Sequence, residues 1–184
     1  MADSVFSALP AQTQSVLAQL SAAVEGVQPT SLRSWKIEPT VLLGETAAAG
    51  LLREVSDWAG TGQACLYYLE CRSADIDLDK VEEAFVHAKA RKAPARAYPR
   101  LNSPGACLYV GCSRSLAKRL REHLGYGAET TYALQLAHWA IPLSLQLGFF
   151  CAKYTEETPP GVMQALEDTL WGIRRPMFGR RGAK

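Results

Sequence analysis

No stretch of this 184-residue chain holds the roughly 18 consecutive apolar residues that a membrane-crossing helix needs, so no spanning segment is expected. The opening residues Met1-Ala2-Asp3-Ser4-Val5-Phe6 have neither a basic n-region nor an apolar h-region, which removes the signal for secretion and makes the cytoplasm the expected compartment. None of the five cysteines stands at CxxC spacing from another, and the odd count argues against a disulfide framework. Cys65, Cys107 and Cys151 lie inside apolar runs, as reduced core thiols do. A zinc site would have to be drawn from Cys71, Cys112 and His123, and core cysteines are the simpler reading. A calcium loop starting at Asp75 is excluded, because Lys80 stands where the loop's glycine belongs and Val86 where its glutamate belongs. Net charge is only +2, too little by itself to argue for a polyanionic partner.

What is present is a composition of 48% hydrophobic and 21% charged residues, which fits one globular domain with a buried core and room for a small appendage. Residues 1–60 read as a helical N-terminal region, either a separate module or a flap. Pro10 suits a first helical turn, Thr13, Leu17, Leu20 and Val24 follow at helical spacing, and Gly26 ends the segment. A short strand near Trp35-Lys36-Ile37 precedes a second helix, capped by Thr46, with Leu51, Leu52, Val55 and Trp58 on its apolar face. Residues 61–184 alternate strand and helix. Strands are expected at Ala64–Cys71, near Ala106–Gly111 and at Leu143–Tyr154. Helices are expected after Asp79 as N-cap, over 115–124 up to Gly125, over Tyr132–Trp139, and after Pro159-Pro160, where Val162, Leu166, Leu170 and Ile173 make a buried stripe. The fold class is therefore α/β, with a helical extension at its start, and the two strands around 64–111 would pair antiparallel.

Charge is segregated along the chain. The windows 89–100, 114–121 and 174–184 contain 14 of the 20 basic residues and none of the 18 acidic ones, an electrostatic footprint for phosphate. Lys89, Arg91, Lys92, Arg96 and Arg100 of the insert, with Arg114 and Lys118, are the residues expected to touch nucleic acid.

The most informative run is Cys107-Leu108-Tyr109-Val110-Gly111, a short apolar strand followed by a basic helix. Rotation by about 100° per residue puts Leu116, Leu120 and Leu124 on the buried side of that helix. Arg119 and His123 then lie on its border, and Lys118 points away. Ala64-Cys65-Leu66-Tyr67 repeats the tetrad found at Ala106-Cys107-Leu108-Tyr109, so two similar strands each deliver a tyrosine. Tyr68 faces the opposite side of the strand from Tyr67. Gly111 suits a close turn out of the second strand, where a Cβ would obstruct backbone or phosphate.

In this order the residues resemble the GIY-YIG nuclease family, which implies a small core of a three-stranded antiparallel sheet flanked by helices, with residues 74–105 as a long insert. Cys65-Leu66-Tyr67 corresponds to the first signature, Tyr109-Val110-Gly111 to the second, Arg119 to the helical arginine and Glu167 to the helical glutamate. The resemblance implies a Mg²⁺-dependent endonuclease, with Mn²⁺ as a substitute, that hydrolyses DNA by a one-metal mechanism. Glu167 would bind the metal and Arg119 the scissile phosphate. Tyr67 would act as general base and Tyr109 would orient water or phosphate. His123 would be a proton relay or phosphate donor, or a border histidine without a task. Two alternatives stay open: a catalytically silent nucleic-acid-binding module of the same fold, and an RNA-directed toxin or defence nuclease.

Overall fold

The computed structural model describes residues 2–73, 76–91 and 96–182, the first four of these by backbone alone. Its strands are β1 (Ser31–Ile37), β2 (Ala64–Cys71), β3 (Cys107–Ser113) and β4 (Leu147–Tyr154). Its helices are α1 (Ala2–Glu25), α2 (Glu45–Ala59), α3 (Leu78–Ala90), α4 (Leu116–Leu124) and α5 (Pro160–Arg174). All four strands form one antiparallel sheet in the order β1-β4-β2-β3. The architecture is α/β, but the sheet has four strands where three are expected. The added member is β1, whose residues 31–37 pair with β4 and whose Trp35 and Ile37 alternate into the core. Residues 31–59 thus share the sheet and core of the rest of the chain: Val55 and Ala59 of α2 pack in the same cluster as Tyr67 and Leu120.

The two sheet faces differ. Cys65, Tyr67, Leu69, Cys151 and Phe149 look into the large core, closed by α2, α3, α4 and the segment 134–145. Ala64, Leu66 and Tyr154 look the other way, onto Met163, Leu166 and Leu170 of α5. Packing is tightest in the first turn of α5. Val162 and Met163 are buried, but Ile173, expected in the stripe, is 71% exposed. At the far end, α1 starts well before Pro10 and carries that proline in its interior, and Leu17 is exposed.

Two helix starts are shifted. The cap of α3 is Asp77, not Asp79: its side chain accepts the N–H of Lys80 at 3.2 Å, the third helical residue, as a cap should. Helix α2 begins at Glu45 without a side-chain cap. The larger departure is at 132–139, expected as a helix and found as an irregular segment with a single 3₁₀ turn at Leu136–His138. Its backbone groups are engaged elsewhere. The carbonyl of Tyr132 accepts from Arg119, the N–H of Leu134 donates to His123, and the carbonyl of Leu134 accepts from the Trp139 indole. A helix would have used the two carbonyls internally.

Among the described residues no helix is long and apolar enough to cross a membrane. All five cysteines are free, and four are buried. Burial raises their thiols, Cys65 to about 11 and Cys71, Cys107 and Cys112 to about 12. The thiolate is the reactive form, so Ellman's reagent at pH 8 is expected to modify the folded chain slowly and all five thiols promptly in guanidinium. Rapid labelling of two or more thiols in the native protein would contradict this packing.

Candidate active site

Tyr67, Tyr109, Arg119 and His123 meet in one hydrogen-bonded cluster. The register of β2 and β3 places Tyr67 directly opposite Gly111 and Leu69 opposite Tyr109, so both phenols rise from the same sheet face. Their rings lie nearly parallel, with centroids 6.4 Å apart and an interplanar angle of 16°. Helix α4 crosses above them. Its apolar stripe of Leu116, Leu120 and Leu124 is buried as expected, and that packing turns Arg119 and His123 down onto the phenols.

Gly111 has a different job from the expected turn. It lies within β3, and a Cβ there would stand 2.6 Å from the Tyr67 hydroxyl oxygen and 2.8 Å from the ring carbon bearing it. The missing side chain is the space that the end of the Tyr67 ring occupies.

Arg119 is the hub. Its Nε donates to Tyr67 Oη at 3.3 Å and one Nη2 hydrogen goes to Tyr109 Oη at 3.1 Å. The other reaches the carbonyl of Tyr132 at 2.9 Å, and Nη1 donates to Glu122 Oε2 at 2.8 Å. Four of the five guanidinium hydrogens are therefore placed, leaving one on Nη1. The side chain is 14% exposed. Burial opposes its charge, yet the two phenols and the Glu122 carboxylate more than offset this, and its pKa is raised. Glu122, three residues along the same helix, is a member that sequence reasoning missed; its signal was the i, i+3 spacing from Arg119.

His123 is fully buried. Its Nδ1 receives the N–H of Leu134 at 3.3 Å, so the ring proton is on Nε2, which points at Tyr67 Oη from 3.0 Å. The Tyr67 oxygen thus accepts two N–H donors, and its own hydrogen is left to point elsewhere. With 1% exposure, Tyr67 is held well above the usual phenol range, first by burial and then by Tyr109, against the lowering effect of Arg119. The resting side chain is a neutral phenol.

Glu167 lies on α5, on the side of the sheet away from the phenols. After burial, its carboxylate is among the influences that raise Cys112, and it adds a smaller upward push on Tyr67. Asp168, its neighbour, is occupied by Gln164 at 3.1 Å and by the N–H of Gly182 at 2.9 Å. Among the described residues no three His, Cys, Asp or Glu side chains gather as a metal cage, so the zinc set of Cys71, Cys112 and His123 does not assemble. Glu167 offers one carboxylate, and a hydrated Mg²⁺ keeps several waters and needs few protein carboxylates.

The basic windows, acid-free in sequence, are partly neutralised in space. Arg96 reaches Glu129 at 3.2 Å and Arg121 reaches Glu45 at 2.6 Å. Arg174 reaches Glu70 at 3.3 Å and also Tyr68 Oη at 2.6 Å. Arg114 donates to the carbonyls of Gly62, Glu156 and Thr158, joining two loops, and Lys89 donates to the carbonyl of Pro99. Arg91, Arg100 and Lys118 are exposed and form no ion pair among the described residues. Lys92 lies outside the described residues. Around Tyr109 the rim is basic: Gly179 abuts its ring and its N–H bonds the carbonyl of Arg100, with exposed Arg180 next in the chain.

Comparison with protein-family models, with curated proteins and with solved structures found no match to this chain.

The close fit of Tyr67 to Gly111 makes a stability prediction. Gly111→Ala should destabilise the fold by about 1–3 kcal/mol, the usual range for overpacking, because Tyr67 is pinned and cannot swing away. In a Tyr67→Leu background the ring end is gone, and the added cost should fall by about 1 kcal/mol or more. Chemical denaturation of the four members of this cycle measures it, and simple additivity would deny the contact.

Proposed function

We propose that the chain is a metal-dependent endonuclease that hydrolyses phosphodiester bonds in DNA. The observation that carries this reading is the convergence of Tyr67, Tyr109, Arg119 and His123, from two strands and a helix, into one cluster at a basic edge, with Glu167 within electrostatic reach. Hydrolysis of a phosphodiester needs charge compensation at the phosphorane and a proton acceptor for water. The guanidinium at Arg119 supplies the first, with a permanent charge and one uncommitted N–H already present before substrate arrives. Tyr67 supplies the second once the surrounding charge favours its anion, since the hydrogen bonds from Arg119 and His123 are aimed at the oxygen where that anion forms. Tyr109, the more exposed of the two phenols, orients water or phosphate. Glu167 would hold a Mg²⁺, which when bound contributes Lewis-acid stabilisation of the leaving oxygen.

A second reading has its own support. Arg119 has four donors committed and Tyr67 is almost fully buried, as befits a site that binds nucleic acid without cutting it. Plasmid nicking with and without Mg²⁺ or Mn²⁺ separates the two. Wild-type chain is expected to nick with metal only, and Glu167→Gln to abolish nicking. Arg119→Ala and Tyr67→Phe should each lower the rate by on the order of 10²-fold or more. Tyr68→Phe, on the opposite sheet face, should change little. Retention of near wild-type nicking by Glu167→Gln would remove the metal assignment, and binding without nicking by the wild-type chain would leave the silent module.

Binding is tested apart from cleavage. Arg100 and Arg180 flank the Tyr109 rim without acidic partners among the described residues, so we assign them to the phosphate backbone. Removing one phosphate-neutralising charge should flatten the slope of log affinity against log salt by about 0.9 for duplex DNA. The double variant Arg100→Ala/Arg180→Ala should therefore bind unrelated duplexes more weakly to a similar degree, with the slope reduced by about twice that. An unchanged slope would move the DNA path away from this rim.

A further inference from the structure

Arg96, expected to touch nucleic acid, points inward, and what it holds is the segment that presents two backbone groups to the site. We propose that Arg96 and Gln135 are positioning residues: they lock the 129–135 segment so that its backbone fixes the imidazole tautomer of His123 and the orientation of the Arg119 guanidinium. The catalytic consequence rests on the endonuclease reading above; the geometry does not.

The chain of interactions is short. Arg96 Nη2 reaches Glu129 Oε1 at 3.2 Å and Nη1 reaches Gln135 Oε1 at 3.2 Å, with the side chain only 13% exposed. The adjacent Ala97 N–H donates to the carbonyl of Glu129 at 2.7 Å, a second tie to the same segment. Gln135 uses its other amide atom, donating from Nε2 to the carbonyl of Thr131 at 3.1 Å. One buried amide therefore closes the turn on the inside while the guanidinium clamps both ends from the insert.

The backbone at Gln135 requires such a clamp. Its φ of 56° and ψ of 40° lie in the left-handed region, unusual for a residue with a Cβ, and the residue is fully buried. Conformations of this kind carry strain and persist only where the surroundings over-determine them. The strained turn leaves 132 and 134 non-helical, and these are the residues that face the cluster. The carbonyl of Tyr132 takes an Nη2 hydrogen of Arg119 at 2.9 Å, and the N–H of Leu134 fills Nδ1 of His123 at 3.3 Å. With Nδ1 filled by a donor, neutral His123 carries its proton on Nε2, where it meets Tyr67 Oη at 3.0 Å. Among the described hydrogen bonds of Arg96 none goes to the four cluster side chains, so its effect passes through the segment's backbone.

The test reads the tautomer directly. The chain has three histidines, His87, His123 and His138, and ¹⁵N-histidine labelling with long-range ¹H–¹⁵N spectra reports the protonated nitrogen of each. Substitution of His123 by Asn identifies its signals. Wild-type His123 is expected to show a single Nε2–H form. Arg96→Ala, and Gln135→Gly, which keeps the left-handed backbone but removes the amide, should convert it to mixed tautomers while His87 retains its pattern. Arg96→Lys should not rescue, because one ammonium lacks the fork that spans Gln135 and Glu129. In nicking assays kcat should fall roughly 10-fold or more. KM and the salt slope should stay near wild type, unlike the response of Arg100→Ala/Arg180→Ala. A wild-type His123 protonated on Nδ1 overturns the proposal, as does an Nε2–H signal unchanged in both folded variants. Should tautomers shift in a chain that never nicks DNA, the positioning role stands and the endonuclease reading fails.

Discussion

Burying the guanidinium of Arg119 is the constraint from which most of the rest follows. A buried cation is tolerated only when its donors are met, and here the acceptors come from four places: a phenol on β2, a phenol on β3, a carboxylate on α4 and a carbonyl from the 132 backbone. Each acceptor has to approach closely, and the chain provides room at three positions by having no side chain. A Cβ at Gly111 would strike the Tyr67 hydroxyl at 2.6 Å, one at Gly127 would strike the Glu122 side chain at 2.7 Å, and one at Gly179 would crowd the Tyr109 ring at 3.2 Å. The cluster is thus specified as much by where side chains are missing as by the groups that meet.

The same constraint reorganises the neighbouring segment and the insert. The carbonyls of Tyr132 and Leu134 accept from Arg119 and from the Trp139 indole in place of the N–H groups four residues on, so the segment gives up internal hydrogen bonds that its sequence favours. The left-handed Gln135 and the Arg96 fork hold the result. One arginine of the basic insert consequently belongs to the interior electrostatics of the fold, while Arg91 and Arg100 remain as solvent-facing charge. The footprint expected from three acid-free windows shrinks in space to the charges without ion pairs among the described residues, with Arg100 and Arg180 near the rim of Tyr109.

The sequence made the central elements legible for definite reasons. The repeated Ala-Cys-Leu-Tyr tetrads announced two strands of the same facing, and the Leu116, Leu120, Leu124 stripe fixed which side of α4 was buried, which in turn placed Arg119 and His123. Gly125, left-handed at φ 104°, stopped that helix as its type predicts. What was not legible depended on partners distant in the chain. The pairing of β1 with β4 joins residues more than a hundred positions apart, and nothing in Ser31–Ile37 announces it. The partners of Arg96 and Arg121 are likewise remote, so an acid-free window said nothing about whether its charges were paired. Residues 132–139 failed as a helix because tertiary hydrogen bonds outweighed local propensity.

The arrangement around Tyr67 also bears on how a buried phenol could take part in proton transfer. Opposing effects meet at its oxygen. Burial, the largest, and then Tyr109 hold the phenol neutral; Arg119 and its hydrogen bond pull toward the anion, and Glu167 pushes back. A cation bound by Glu167 would cancel that last repulsion, whereas a phosphate drawing Arg119 away would remove the help on which the anion depends. In the endonuclease reading proposed above, the remaining Nη1 hydrogen would meet the phosphate while Nε stays on Tyr67, since the two lie on different nitrogens of one rigid plane. On that reading the four committed donors of Arg119 would be a preorganised scaffold for the base, and the open hydrogen would be the substrate side of the same group.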